Sequence, residues 1–237
     1  MKKQPLLVSI SLFLCASLLA QVSVQPLVGG TSSSFDYNND FEMNQAVQSF
    51  DGENKGGFTG GIKVNIPTND LGWHIAPELF FIQNGSKEFY NDIQNVVNDL
   101  ISRKVSLDYV GIYLPMKYNL LGQVISDDRD ASGILIGVSL YAEYVVGGII
   151  DDDNGKSLSK INFVNGSDKL DFGGSAALEF IFPVPTNTGY IPFSVGIGYD
   201  YGVNNINFFS ELPNNADERY IVNNQGLNIK AGTLFVF

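Results

Sequence analysis

The final stretch of the chain, Leu227 to Phe237, is the sequence feature that most constrains the fold. Its alternate residues from Leu227 onward are mainly apolar, and Asn228, Lys230 and Gly232 lie between them. Because side chains alternate across a strand, this pattern predicts a strand with one apolar face and one mixed face. At the edge of a sheet in water, such a face would promote aggregation. In a bilayer it would meet lipid as one wall of a closed barrel. The alternative is the terminal strand of a soluble sandwich.

Seven earlier segments alternate in the same way and are also predicted to be strands. They are Val22–Thr31, Gly57–Ile66, Trp73–Gln83, Leu107–Leu121, Ile134–Val146, Leu170–Phe182 and Ile191–Val203. Four long polar connections alternate with three short turns, which is typical of bacterial outer-membrane barrels. Residues 21–237 are therefore predicted to form one all-β domain, a monomeric eight-stranded antiparallel up-and-down transmembrane β-barrel. Its short turns would be periplasmic and its long loops extracellular.

The two faces of the predicted strands indicate which side meets lipid. The apolar face carries aromatic residues near strand ends, as a membrane-interface belt requires: Trp73, Tyr118, Phe182, Phe193, Phe235 and Phe237. The other face is rich in Gly and carries both charge signs, which suits the narrow interior of an eight-stranded barrel. The predicted interior charge network consists of Lys63, Glu78, Lys117, Glu143, Asp171, Glu179, Asp200 and Lys230. Within it, Glu78 and Lys117 are the expected ion pair, because buried charges must be paired.

The first residues predict export. Lys2 and Lys3 precede an apolar run from Pro5 to Ala20, which is typical of a secretory signal peptide covering residues 1–20 with cleavage after Ala20. Cys15 lies within that run and is interpreted as part of the signal. The mature chain would then contain no cysteine, which excludes disulfides and thiol catalysis.

Composition and motifs argue against several other functions. The formal net charge of −11 gives no basic footprint for nucleic acid. His74 is the only histidine and is interpreted as an interior filler rather than a catalytic base. Asp151 to Gly155 contains calcium-like residues but departs from the EF-hand spacing, so a solvated turn is the preferred interpretation. Weak divalent-cation binding by acidic loops stays open, and no cofactor, metal centre or enzyme activity is predicted.

Two local irregularities are expected. Ile93, Val96, Val97, Leu100 and Ile101 follow a helical period, which predicts a short amphipathic helix in the connection from Asn84 to Ser106. Pro77 and Pro115 fall inside predicted strands, where proline removes a ladder donor, so a bulge or a missing hydrogen bond is expected there.

Several motifs resemble known outer-membrane barrels. Lys230, Gly232, Phe235 and Phe237 are similar to the C-terminal signal that barrel-assembly machinery recognises. Gly29–Phe35, Pro77–Gly85, Ile112–Tyr118 and Tyr199–Gly202 resemble motifs of the small outer-membrane β-barrel family typified by PorT. The resemblance implies a barrel in the outer membrane of a Gram-negative cell, with lipid and the assembly machinery as partners. It does not imply PorT's role in secretion.

The sequence leaves the function open among several classes. We expect a structural or interaction protein whose extracellular loops present an acidic surface to an unidentified protein partner. The alternatives are a narrow porin-like channel for small solutes and a secreted soluble barrel that carries an apolar ligand.

Overall fold

The computed structural model describes residues 22–37, 51–68, 72–91, 100–121, 132–152, 157–163, 166–211 and 217–236. They form twelve β-strands and one short 3-10 helix. The strands are β1 (Ser23–Tyr37), β2 (Asp51–Pro67), β3 (Trp73–Ile75), β4 (Glu78–Asn91), β5 (Leu100–Asn119), β6 (Gly133–Asp152), β7 (Ser157–Asn162), β8 (Leu170–Thr186), β9 (Gly189–Gly202), β10 (Ile206–Glu211), β11 (Asp217–Thr233) and β12 (Phe235–Val236). The 3-10 helix covers Gly166–Lys169. Within these ranges, no helix has the length and apolar character needed to cross a membrane.

The strands close into an antiparallel barrel with eight strand positions around the ring, each of which we call a wall. Consecutive walls are β1, β2, the pair β3 and β4, then β5, β6, β8, β9 and β11, and β11 returns to β1. Closure is extensive, since β1 and β11 stay in register from Leu27 with Gly232 to Tyr37 with Val222. β12 completes the seam by pairing Phe235 with Val24. The predicted eight-stranded antiparallel barrel is therefore confirmed.

The barrel has two distinct ends. The turn end carries the connections at 68–72, 120–132 and 187–188, and β1 begins there. The loop end carries the other four connections. Towards the loop end, two walls each consist of two successive strands with a break between them. One is made of β7 and β8, and the next is made of β9 and β10. β7 bridges β6 to β10, and β10 pairs with β11, so the ring stays closed above the breaks.

The Asn204 side chain bridges the break between β9 and β10. Its Oδ1 accepts from the Phe172 amide at 2.6 Å, and its Nδ2 donates to the Leu170 carbonyl at 2.6 Å. These bonds take the place of the ladder that β9 would have supplied to β8. Backbone donors and acceptors at the break are thereby satisfied, as a buried or lipid-facing backbone requires.

In the middle of its height the barrel wall is apolar outside and charged inside. On the outer surface Leu114 and Leu140 are 60% and 73% exposed, whereas Glu78 and Glu143 on the inner surface are 6% and 2% exposed. A barrel in water would show the reverse arrangement. This is the surface of a transmembrane barrel, with an apolar band for lipid and a polar lumen. Trp73 packs on Tyr118 at 5.0 Å between ring centroids at the turn end, where an interfacial aromatic belt is expected.

Towards the loop end the two sides exchange character. The interior there holds an apolar core of buried side chains: Phe35, Phe80, Ile82, Val105, Leu107, Tyr109, Tyr113, Tyr141, Val145, Ile150, Ile161, Ile206, Phe208 and Val222. The outward positions at this height are polar, since Asp36 is exposed and the half-buried Gln83, Lys104 and Asp108 alternate with buried core residues. The charged, Gly-rich inner face expected from the predicted strands does not extend into this part, which we call the upper storey.

In the upper storey the strands are longer than the sequence predicted. Residues 84–91 and 100–106 were expected to lie in a loop, but they extend β4 and β5, which pair from Glu78 with Tyr113 to Asn91 with Leu100. The segments that follow Thr31, Ile150 and Val203 were also predicted to be loops, but much of each belongs to a strand. The expected alternation of loop length is correspondingly weaker. Above the lipid band the outer side chains need not be apolar, so the pattern that identified the strands is missing there.

The two expected irregularities have different outcomes. For the helix, Ile93, Val96 and Val97 lie outside the described residues, while Leu100 and Ile101 belong to β5 rather than to a helix. The prolines do interrupt pairing. Pro77 lies in the gap between β3 and β4, and Pro115 lies where β5 changes partner from β4 to β3. The Ala76 amide donates to the Pro115 carbonyl at 3.0 Å across this gap.

Candidate functional site

The centre of the lumen is held by one carboxylate between two ammonium groups. Glu179 on β8 accepts from Lys63 Nζ at 2.5 Å and from Lys117 Nζ at 2.7 Å. The three residues come from β2, β5 and β8, so these contacts cross the lumen and connect walls that are not neighbours. All three side chains are buried. Removing one partner of such a buried ion pair costs about 3–5 kcal/mol, which makes the triad a strong constraint on the barrel.

A second ion pair lies beside the triad. Lys230 Nζ on β11 donates to Glu78 Oε1 on β4 at 2.5 Å. The same ammonium lies 4.5 Å from the ring centroid of Tyr113 and 5.3 Å from that of Phe80, which adds cation–π attraction. Glu78 thus pairs with Lys230, and Lys117 pairs with Glu179. The expected pair of Glu78 with Lys117 is not the one that the structure forms.

A third polar group surrounds Asp200 on β9. Its Oδ2 accepts from Tyr113 Oη at 2.8 Å and from Asn228 Nδ2 at 2.7 Å. Inward-facing glycines give these side chains room. At Gly137, an added Cβ would lie 2.6 Å from Lys117 Cγ, and at Gly198 it would lie 3.0 Å from Asn228 Oδ1. Glycine on the inner face therefore determines where the long polar side chains can cross the lumen.

Glu143 and Asp171 form a different arrangement higher in the lumen. They are direct cross-strand partners on β6 and β8, and both are buried. Glu143 Oε2 and both carboxylate oxygens of Asp171 have no hydrogen-bond partner, although Asn224 and the Phe172 amide lie close to Asp171. The hydroxyls of Tyr109 and Tyr141 beside them are also unpartnered. Like charges placed opposite each other on adjacent strands destabilise a sheet.

The turn end of the lumen is lined by neutral polar side chains and by a small buried apolar cluster of Leu135, Ile181 and Leu234. Gln25 Nε2 donates to Ser194 Oγ, and Asn65 Nδ2 donates to Ser23 Oγ at 3.1 Å. His74 faces the same region, and neither of its ring nitrogens has a hydrogen-bond partner. The interpretation of His74 as an interior filler stays a prediction.

A small cavity of about 60 Å³ lies among these groups. Its walls include Lys63, Glu78, Lys117, Glu179, Asp200 and Lys230. That volume accommodates a few water molecules and provides the polar partners that water requires. Above it, Phe80 stacks on Tyr113 at 4.2 Å, and Tyr141 meets Tyr113 edge-on at 5.4 Å. These rings are buried and join the core of the upper storey, so side chains fill the lumen above the cavity.

All eight residues of the predicted charge network lie on the inner wall, and five of them meet in the two ion-pair groups. Asp200 lies beside the cavity with neutral partners, while Glu143 and Asp171 lie apart as an acid pair. Sequence reasoning missed Tyr113, Tyr109 and Asn228 as members of the site. Tyr113 and Tyr109 alternate with the apolar residues of β5, which places them on the inner face and could have identified them.

The C-terminal motif has a structural role in the barrel seam. Lys230 points into the lumen, and Gly232 faces Leu27, where an added Cβ would lie 2.9 Å from Leu27 Cδ2. Phe235 is exposed on the outer wall. Phe237 lies outside the described residues, as does the predicted signal peptide at 1–20. Recognition of the motif by assembly machinery stays a prediction.

Among the described residues, no group of three or more His, Cys, Asp or Glu side chains is close enough to hold a metal ion by itself. The acidic stretch at 151–155 lies only partly within the described ranges, so its cation binding stays untested.

Comparison with known proteins gives likenesses of fold only. No family model matches the chain, and no curated protein matches it. The resemblance to the PorT-type family therefore stays a prediction. Among solved structures, the outer membrane protein OprG from Pseudomonas aeruginosa is similar, with 11% identity, a TM-score of 0.49 and coverage of 91% of this chain and 96% of that chain. Ail, the attachment invasion locus protein of Yersinia pestis, was crystallised with the heparin analogue sucrose octasulfate. It is 12% identical, with a TM-score of 0.38 and coverage of 91% and 99%.

Proposed function

We propose that this chain is an integral outer-membrane protein with a structural or interaction role and a closed lumen. The observation that carries the proposal is the filled interior. The Lys63–Glu179–Lys117 triad crosses the lumen within the lipid band, and the aromatic rings and apolar core of the upper storey lie above it. Opening a path through the barrel would break buried ion pairs and expose apolar side chains, so passage of solutes is unfavourable.

The apolar outer band supports insertion into a bilayer, and the polar outer wall of the upper storey supports its projection beyond the lipid. In this proposal residues 1–20 direct export, the turn end faces the periplasm, and the loop end faces outward. A partner would then meet the upper storey and its loops rather than the lumen. The barrel would act without enzyme chemistry.

Conductance across planar lipid bilayers tests the closed lumen. We expect the refolded protein to give no conductance steps, while a general porin measured in the same chamber gives them. Reproducible steps from the purified barrel would instead favour the narrow channel, for which the 60 Å³ charged cavity is the supporting observation.

Cysteine labelling in intact cells tests the location and orientation. Cys15 in the predicted signal is the only cysteine in the sequence, so single-cysteine variants report one site each. We expect Glu53→Cys at the exposed loop end to react with a membrane-impermeant maleimide, and Asn187→Cys in the β8–β9 turn to react only after the outer membrane is broken. Equal labelling, or recovery in the soluble fraction without detergent, would contradict the proposal and favour a secreted carrier.

A further inference from the structure

We propose that Glu143 and Asp171 hold a hard divalent cation, with Ca²⁺ as the representative ion, inside the barrel. The two carboxylates lie opposite each other on β6 and β8 and are 2% and 0% exposed. Buried carboxylates are ordinarily paired or coordinate a metal. Among the described residues, none of the ion pairs includes Glu143 or Asp171.

Every lysine of the predicted charge network already forms an ion pair with a carboxylate other than Glu143 and Asp171. Lys63 and Lys117 donate to Glu179, and Lys230 donates to Glu78. Lys230 is near enough to influence Glu143 and Asp200 electrostatically, but its ammonium is directed to Glu78. Arg103 lies eight residues further along β5 than Gly111, the cross-strand partner of Glu143. At the rise of a strand this is about 27 Å, which puts Arg103 beyond reach of the acid pair.

Unpartnered oxygens are the second observation that points to a cation. The Tyr109 hydroxyl is fully buried, has no hydrogen-bond partner and lies within electrostatic range of Asp171 and Glu143. The Tyr141 hydroxyl contacts the backbone position of Gly173, two residues from Asp171 on the same inner face, and is also unpartnered.

The donor chemistry selects the kind of ion. Two carboxylates and two hydroxyls offer only oxygen, which suits hard cations and not the softer metals that prefer sulfur or imidazole. Two negative charges match one divalent ion. Ca²⁺ accepts oxygen ligands in flexible geometry, whereas Mg²⁺ demands near-octahedral geometry and gives up its water reluctantly, so an irregular site in a narrow lumen favours Ca²⁺.

Unfolding of the whole refolded barrel in detergent micelles tests the proposal. The protein is refolded in EDTA and then measured with either EDTA or CaCl₂ at constant ionic strength. An ion that binds only the folded state raises the folded-to-unfolded ratio about 100-fold at a concentration about 100 times its Kd. We expect a Ca²⁺-dependent rise in the unfolding midpoint and a Tb³⁺ luminescence signal, sensitised by the adjacent tyrosines, that saturates near one ion per barrel.

Two variants locate the binding. Glu143→Gln/Asp171→Asn keeps the side-chain shapes, and we expect it to fold and to lose both the Ca²⁺ shift and the Tb³⁺ signal. Asp151→Asn/Asp153→Asn alters the acidic stretch at the loop end, and we expect it to keep both. A Ca²⁺ shift that survives in the first variant and disappears in the second would assign binding to the loop and overturn the proposal. An unfolding midpoint that is independent of Ca²⁺ would overturn it as well.

Discussion

Removing the charge of Glu179 should strongly destabilise the barrel. Its carboxylate contacts Lys63 and Lys117 at 2.5 and 2.7 Å. With an effective dielectric constant of about 20, each contact supplies about 6 kcal/mol of Coulomb attraction. The cost of taking the ions out of water offsets much of that attraction. The Glu179→Gln variant keeps the shape of the side chain but leaves two buried ammonium groups without their counter-ion.

We expect Glu179→Gln to lower the free energy of unfolding by about 3–5 kcal/mol. The measurement is urea unfolding of the barrel refolded into lipid vesicles, followed by the fluorescence of Trp73, the only tryptophan. Replacing all three members at once, as Lys63→Met/Lys117→Met/Glu179→Leu, leaves no charge unpaired and should recover most of the loss. If Glu179→Gln stays within about 1 kcal/mol of the wild type, the triad does not hold the lumen together.

Three further substitutions test the other layers of the barrel, the first two by the same unfolding measurement. Leu140→Arg places a charge at the middle of the lipid band and should cost about 2–4 kcal/mol, whereas an unchanged stability would argue that this wall does not face lipid. Leu107→Ala empties part of the upper apolar core and should cost about 2–5 kcal/mol, while a near-neutral result would indicate a loose core. Gly173→Leu would collide with the Tyr141 ring and a wall carbonyl, and should prevent refolding as judged by the heat-dependent shift in gel mobility. Gly166→Leu, at a glycine with open space around it, is the matched control and should refold.

The sequence predicted the part of the fold that is in contact with lipid. There each strand needs apolar side chains outside and polar ones inside, so a period of two appears in segments such as Ile134–Val146. The assignment of the eight charged side chains to the inner wall followed from the same period. The same period did not predict which of these side chains form ion pairs, because strand register and tilt determine which side chains are neighbours in the lumen. Lys230 and Glu78 lie 152 positions apart in the chain, yet they meet across the lumen.

The upper storey escaped prediction for a physical reason. Val105, Leu107 and Tyr109 alternate with Lys104, Ser106 and Asp108, which is the pattern of an ordinary strand in water. Val110 and Ile112 continue the apolar residues on the opposite face, so the apolar side changes over between Tyr109 and Val110. A search for one continuous apolar face stops at that change and assigns everything beyond it to a loop.

The change of side coincides with irregularities in the walls. The register between β5 and β6 shifts at Asp108 and Tyr109, and the walls made by β7–β8 and β9–β10 are broken at a comparable height. On β5 the inward positions stay odd-numbered from Val105 to Tyr113, so the residue types change there while the faces do not. On β6 one extra residue between Val145 and Gly147 moves the inward positions from odd-numbered to even-numbered residues, which is what a bulge does to a strand. The barrel therefore consists of two stacked β structures, each with its apolar side turned away from water. The acid pair of Glu143 and Asp171 lies close to their boundary, between the charged lumen and the apolar core, where neither ion pairing nor bulk water neutralises it. That position is the physical reason to expect a bound cation there rather than elsewhere in the interior.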